Sequence, residues 1–485
     1  MKLLLILWQK CFQANLPVED YFVRNEWMEL INSLNGLGLG AASVLGVMME
    51  TNANLVRNAK PHVVLQFVDF LKRLGPDATW LNLLQGFCSC LGVPIQCQQQ
   101  LVLQSVYDPG SIQPNTEWIG NKKKLLLSCR LGSVVCPFPE TLRAQYTGGE
   151  ASAAIYGHTL LASGIRDLFV SWHSSDGQLW QLGNTEKFGL YFSPKQLGLK
   201  TFTFPDDSDR RQWVNLADIM WVLDPNACFN VVFDTRERWP DRQKKMSKSE
   251  KASMQAKQVL ANFFIAQLQM LTEMCLDRQV NAIGAIEKEY FYELVVCGVW
   301  HPFLPEIVRS RFAALTDNLW IDRHPHYEME VPNFIRKYFG TTAMQMITAG
   351  TAQHQSELPK FELITPPVTS KQGEAEQAGN MKVNPFYGIT SSQKFQLLLG
   401  YIQYHMEKME GKMCITQKGL NQYTGALMEM GLHLLRFGFI PTWDQLCDIL
   451  EPILKCMDGR TDWLKQATDQ LTPRSAFVLD VGPNG

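Results

Sequence analysis

Few residues in this 485-residue chain have the types and spacing that chemistry needs. Lys245-Met246-Ser247-Lys248-Ser249 sets two lysines on a short polar stretch, and such a loop can neutralise charge developing on ATP phosphates. That chemistry also needs a nucleotide-binding α/β domain with paired histidines upstream. The nearest candidate, Tyr156-Gly157-His158-Thr159, lacks the pair, and no strand–helix alternation surrounds it. Gly36-Leu37-Gly38-Leu39-Gly40 carries the glycines of a dinucleotide loop, yet no apolar strand precedes it and Glu50 lies too near to be the ribose carboxylate. It is expected to be a helix-to-helix turn.

Metal chemistry has three candidates. Cys88-Ser89-Cys90 with Cys97 lacks the second matched pair that tetrahedral zinc requires, so these cysteines read as small buried apolar residues. His324-Pro325-His326 with Glu328 and Glu330 reads as an exposed turn between helices. Asp206-Asp207-Ser208-Asp209 lacks the spacing of a calcium loop and is expected to be a solvated turn. Gly-x-Ser-x-Gly, the phosphate-loop Gly-Lys-Ser/Thr and His-Glu-x-x-His do not occur. No catalytic, cofactor-binding or metal residue is therefore assigned, no cofactor is expected, and the chain reads as a non-enzyme.

Composition points the same way. The chain is 46% hydrophobic and 19% charged, as in ordinary globular proteins, and its length suggests about three domains. Lys+Arg total 45 against Asp+Glu 47, so there is no global basic field and no nucleic-acid partner is expected. The 12 cysteines show no small-scaffold spacing and read as reduced thiols. The apolar run Leu3 to Trp8 is short for a secretory signal and reads as the start of a helix. No uninterrupted apolar run approaches the ~20 residues of a bilayer span.

The positioning elements are mostly helical. Val63, Val64, Phe67, Val68, Phe70 and Leu71 recur at three- and four-residue spacing, as do Trp80, Leu81, Leu83, Leu84, Phe87 and Leu91, with Gly75-Pro76-Asp77 breaking the two stripes. Residues 1–110 thus read as one helical domain. Residues 111–240 read as a loop-rich, partly β insertion, in which Leu168 to Trp172 and Leu179 to Leu182 flank an Asp176-Gly177 hairpin signal. A wide stripe from Val259 to Cys275 marks a second helical domain over 241–350. Residues 351–388, nearly empty of large apolar residues apart from Phe361, Leu363 and Ile364, read as a disordered loop. Helices resume over 389–470, and 471–485 form a flexible tail. Short amphipathic helices in series must stack, so the expected class is mainly α: an armadillo-like α-solenoid with a small β insert.

The charged pattern of most interest closes the long stripe. Met274-Cys275-Leu276-Asp277-Arg278-Gln279 sits at a helix end, followed by Leu304-Pro305, Arg309, Phe312 and Asp322-Arg323. Two Asp-Arg pairs on packed helices suggest interhelical ion pairs, with solvated surface charge as the equal alternative. This pattern resembles the cytoplasmic helical region shared by inositol 1,4,5-trisphosphate and ryanodine receptors, the RIH and RIH-associated domains, and is closer to the former. The family carries Met-Cys-Leu-Asp-Arg-Gln, then Leu-Pro, Arg, Phe and Asp-Arg-x-Pro at the spacing found here. Asn25-Glu26-Trp27 to Asn58 resembles earlier family helices. Phe87-Cys88 with Ile95, Gln99, Leu101 and Asp108-Pro109, and Phe437-Gly438-Phe439 with Asp458, extend the likeness collinearly.

The resemblance implies a regulatory solenoid of a ligand-gated calcium-release channel on the cytoplasmic face of the endoplasmic reticulum, serving calcium ion transport and calcium signalling. Its partners would be the other domains of a channel, a homotetramer at full length, and the chain would be a truncated product or one piece of a longer polypeptide. The family's β-trefoil domains, ligand pocket, transmembrane helices and selectivity filter are not matched, so neither ligand binding nor conduction is carried over. The alternative is a free-standing helical adaptor that binds proteins. An ATP-using synthetase, represented by Lys245 to Ser249, comes third.

Overall fold

The computed structural model describes residues 2–12, 41–74, 77–107, 126–136, 165–171, 197–207, 211–233, 237–323, 391–409 and 416–440, with a few short pieces elsewhere. It divides into one compact unit of 1–323 with 396–485 and another of 324–395. Within the first unit α1 (Lys2–Phe12), α2 (Ala41–Thr51), α3 (Ala53–Arg57), α4 (Pro61–Leu74), α5 (Ala78–Cys88) and α6 (Gln96–Val106) fill the early chain. Pro61 stands at the first helical position of α4, where its missing N–H costs nothing. Asp77 begins α5 by accepting a hydrogen bond from the Thr79 amide at 2.9 Å. The two apolar stripes meet ring to ring, Phe70 on Trp80 at 4.8 Å and Phe67 on Phe87 at 5.9 Å.

The longest element is α10, after α7 (Ala217–Met220), α8 (Pro225–Phe233) and α9 (Trp239–Lys245). α10 spans Lys248–Cys275 and contains neither Gly nor Pro. A capping box starts it: the Glu250 amide donates to Ser247 Oγ, and the Ser247 amide donates to the Glu250 carboxylate. By length and apolarity this helix meets the criterion for crossing a membrane, but 67% of its apolar window is buried in the protein, which fits a core helix. It packs on α5 and on a later helix, Glu306–Thr316. Residues that the sequence assigns to the first and third stretches therefore share one core.

β3 (Ser128–Cys136), β4 (Ile165–Ser171), β5 (Thr201–Phe202) and β6 (Trp213–Asn215) form an antiparallel sheet in the order β3-β4-β6-β5, after the small ribbon of β1 (Ser89–Cys90) and β2 (Val93–Pro94). Phe169 stands opposite Arg130 on one side and Asn215 on the other. The sheet is pinned to α10 by Gln267, which is fully buried: its side-chain oxygen accepts from the Leu127 amide at 2.8 Å and its Nε2 donates to the Leu127 carbonyl at 2.9 Å. The Asp176-Gly177 hairpin lies outside the described residues.

α11 (Val280–Ile286), α12 (Tyr292–Trp300) and α13 (Glu306–Thr316) follow α10, then a π turn at Asp317–Ile321; α15 (Lys418–Arg436) packs along α13. A Cβ on Gly298 would stand 2.4 Å from the Phe312 ring, so glycine there lets α12 close onto α13. α14 (Ser391–Met409) precedes α15. In the second unit, β7 (Ile335–Arg336) pairs antiparallel with β8 (Leu363–Ile364). Leu363 and Ile364 are thus paired strand residues within a stretch expected to be structureless, because two apolar residues are enough for a short ladder. The rest of 351–388, and 471–485, lie outside the described residues.

Candidate functional site: a helix junction

The helical path breaks between Met274 and Gln279, at the end of α10. Met274 and Cys275 are buried in the core. Asp277 (φ 55°, ψ 36°) and Arg278 (φ 58°) then take consecutive left-handed conformations, costing roughly 1–2 kcal/mol per residue. Neighbours hold this turn. Gln99 Nε2 donates to the carbonyls of Glu273 (2.8 Å) and Leu276 (3.1 Å), satisfying groups that a helix end leaves open. Gln96 donates to Asp277 at 3.3 Å. Ser89 donates to Glu273 at 2.6 Å, while burial raises that carboxyl's pKa. Gln279 starts α11 by accepting from the Asn281 amide, and Asn281 Nδ2 donates to Gln100.

The second half of the pattern stands opposite. Leu304 is buried, and the Pro305 carbonyl starts α13 by accepting from the Val308 and Arg309 amides. Phe312 fills the space beside Gly298. Asp322 takes both Nε (2.9 Å) and Nη2 (2.8 Å) of Arg278, whose guanidinium also lies 5.4 Å from the Phe437 ring. Arg323 pairs with Glu287 at 2.7 Å and stacks on Trp320. Only one bond therefore joins the two Asp-Arg pairs: Arg278 bonds the second aspartate, while Asp277 meets Gln96 and Arg323 meets Glu287. Phe437 is held in place by the end of α15, where Gly438 (φ 75°) lets the Phe439 amide reach Leu434 O and the Gly438 amide reach Leu435 O, each at 3.0 Å.

Arg309 forms a separate, more enclosed centre. Its Nε donates to Val299 O at 3.0 Å, and Nη2 donates to the Tyr401 and Tyr423 hydroxyls, the latter at 2.9 Å. Tyr423 in turn donates to Val299 O at 2.8 Å, and the guanidinium lies 4.3 Å from its ring. His405 bonds Thr424 at 3.0 Å, and burial holds its ring at a pKa of about 3 and so neutral. A third contact ties α15 to the π turn: His433 Nδ1 and Asp317 Oδ2 are 2.7 Å apart. The Asp317 bond raises the His433 pKa, and burial raises that of Asp317. The partners of these pairs, Gln96, Gln99, Glu287, Tyr401, Tyr423 and His433, are polar residues inside helical stripes, and no spacing signal in the sequence joins them.

Chemically the junction binds and orients helices. The buried thiols are poor nucleophiles: burial pushes Cys129, Cys228 and Cys297 up to about 12, and Cys88 and Cys275 upward too. Among the described residues, no three His, Cys, Asp or Glu side chains gather as metal ligands. Cys88 and Cys90 are buried while Cys97 is exposed. Ser247 and Glu250 begin α10, and Lys245 pairs with Glu237 at 2.9 Å, so the two-lysine stretch is a helix start. Asp207 differs from the solvated turn expected of it: it is buried, paired with Arg211, and accepts from Trp213 Nε1 at 2.7 Å. The arginine and indole compensate its desolvation. Gly36 to Gly40 (except for the helix-start Ala41 beyond them) and His324 to Glu330 lie outside the described residues. No family model matches the chain.

Proposed function

We propose that this chain is a cytoplasmic regulatory segment of an inositol trisphosphate receptor-like calcium-release channel, whose helices stack as an α-solenoid and carry conformational change from a ligand-binding head towards a pore. The supporting observation is the junction in which Arg278 and Asp322, 44 residues apart, lock the turn after α10 to the end of the π turn that follows α13. A lever needs helix ends that move together or exchange between discrete arrangements. The strained turn at Asp277 and Arg278, held from outside by Gln96, Asp322 and Phe437, is such a place. In this reading the segment acts at the endoplasmic reticulum membrane within a homotetramer and has no catalytic role.

The test is a chimera in which this chain replaces the corresponding region of a full-length inositol trisphosphate receptor, with calcium release from microsomes as the readout. Arg278→Asp should shift the ligand concentration for half-maximal release by about fivefold or more, the lower end of ordinary allosteric coupling. Adding Asp322→Arg should restore it. An assembled chimera whose release curve is the same with and without Arg278→Asp overturns the proposal.

A further inference from the structure

One cavity lies outside the junction, between α8, α9 and the first turns of α10. It measures about 510 Å³, within the roughly 300–1,000 Å³ range of ligand sites. The rings of Trp221, Phe229, Phe233 and Trp239 form its apolar wall. They brace one another: Trp221 meets Trp239 at 5.2 Å, and Phe229 meets Trp239 at 5.3 Å. Phe233 is 46% exposed, so the wall meets solvent there.

Four charged side chains also line the cavity, and their charges cancel: Glu237 and Glu250 against Arg242 and Lys257. Three of them are engaged, Glu237 with Lys245 at 2.9 Å and Glu250 with Arg242 at 2.8 Å. Lys257 is the exception. Among the described residues its amine has no hydrogen-bond or ion-pair partner, and Asp218 of α7 acts on it only through space. The side chain is half-buried, and burial lowers its pKa more than Asp218 raises it. Such an amine is a poor anchor for an anion, because the ammonium is the form that burial disfavours. It is a good nucleophile, because the neutral form carries the lone pair. The cavity therefore favours an occupant that a neutral amine attacks, a carbonyl compound, over one that an ammonium would hold by charge.

From the cavity and the amine together we infer that Lys257 is a reversible carbonyl-binding residue, whose ligand is an aldehyde with an aromatic or similarly apolar body seated against Trp221, Phe229 and Trp239. Nζ, its extra proton given up to solvent, adds through its lone pair to the carbonyl carbon. A proton passes from nitrogen to oxygen, and the carbinolamine so formed loses water to leave the imine. Hydrolysis reverses the step, so no oxidant or reductant is consumed. Burial of the apolar body against the rings favours the bound form over the free aldehyde. The inference is independent of the channel reading, since the site lies away from the junction after α10.

Reductive trapping on the full chain tests it, with 2-naphthaldehyde and sodium cyanoborohydride at neutral pH, followed by peptide mapping in a mass spectrometer. The reagent reduces an imine to a stable secondary amine and so marks whichever lysine condensed. At low aldehyde concentration Lys257 should be labelled about tenfold more than the exposed Lys244, Lys245, Lys248 and Lys251. Acetaldehyde has no body for the rings, so with it the preference for Lys257 should shrink by about fivefold. Phe233→Ser should lower the naphthaldehyde labelling of Lys257 by about threefold and leave the exposed lysines as reactive as before, its exposed position keeping the fold intact. Equal labelling of Lys257 and the exposed lysines by 2-naphthaldehyde overturns the inference. An equal preference for Lys257 with acetaldehyde, or indifference of its labelling to Phe233→Ser, overturns it as well, because the amine would then be reactive without a binding site.

Discussion

Two polar centres hold α13 and α15 against their neighbours, and they differ in kind. Around Arg309 the charge sits among Tyr401, Tyr423 and the Val299 carbonyl, all neutral groups. At the turn after α10, Arg278 and Asp322 make a two-point ion pair with side chains 42% and 21% exposed. Water competes for the second pair and much less for the first, so the more enclosed centre should contribute more to stability. Charge pairing by itself is a poor guide to which contact matters. The exposed pair instead sets geometry, because together with Gln96 and Gln99 it holds a turn of two left-handed residues in register.

That contrast can be broken at its strong side first. Arg309→Met keeps the length of the stem and removes the donors, leaving Val299 O with one partner fewer and the two hydroxyls facing a thioether. Urea unfolding should show a loss of about 2 kcal/mol, the usual size for hydrogen bonds to a charged group. A loss below that of the exposed pair would reverse the ordering.

The contact between His433 and Asp317 lies between the extremes. The bond to Asp317 raises the His433 pKa above its ordinary value near 6.5, so its stabilisation is complete below about pH 6.5 and is lost as pH rises through the raised value. Asp317 is raised by burial, so ionising it in the folded state also lowers stability as pH climbs from the usual carboxylate range. Both groups favour the acid side. The melting temperature should fall more steeply above pH 6.5 in the parent than in His433→Gln. With the imidazole partly solvated, the difference is under about 1 kcal/mol. A parallel pair of pH profiles would remove the contact from the account.

The smallest effect is expected at the exposed pair. A double-mutant cycle with Arg278→Ala and Asp322→Ala should give a coupling energy of about 0.5 kcal/mol. The same variants should raise hydrogen exchange at the amides of residues 276–280, because the turn loses its outside support. A coupling above 2 kcal/mol would mean that the pair is desolvated in solution and equal to the Arg309 centre.

Much of the helical fold was legible in the sequence. The stripes of Val63 to Leu71 and Trp80 to Phe87 became α4 and α5, Asp77 capped the second, and the long stripe ending at Cys275 became α10. Leu91, counted in the second stripe, falls instead beyond Cys88 in the turn between β1 and β2 and is exposed. Periodicity is a local property, set by which side chains share one helix face, and sequence carries it directly. The site was legible only in part. Arg278, Asp322, Arg323 and Arg309 belong to the charged pattern that the sequence singles out, Gln99 enters only through the family likeness, and nothing in the spacing singles out Gln96 or Tyr423. The aspartate of Asp207 was misread because its burial depends on Arg211 and Trp213 meeting it in space.

By itself the sequence determined that the fold is mainly helical, that its helices are amphipathic, and that the chain lacks the common catalytic and phosphate-binding motifs. Caps, stripes and motifs are written in neighbouring residues, so no further information is needed to read them. Only the tertiary structure decided that Arg278 reaches Asp322 while Asp277 turns to Gln96, and that Arg309 rests among tyrosines. Those pairings depend on which helices cross and at what register, and a side chain's partner across 44 or 181 residues leaves no mark on the spacing around it.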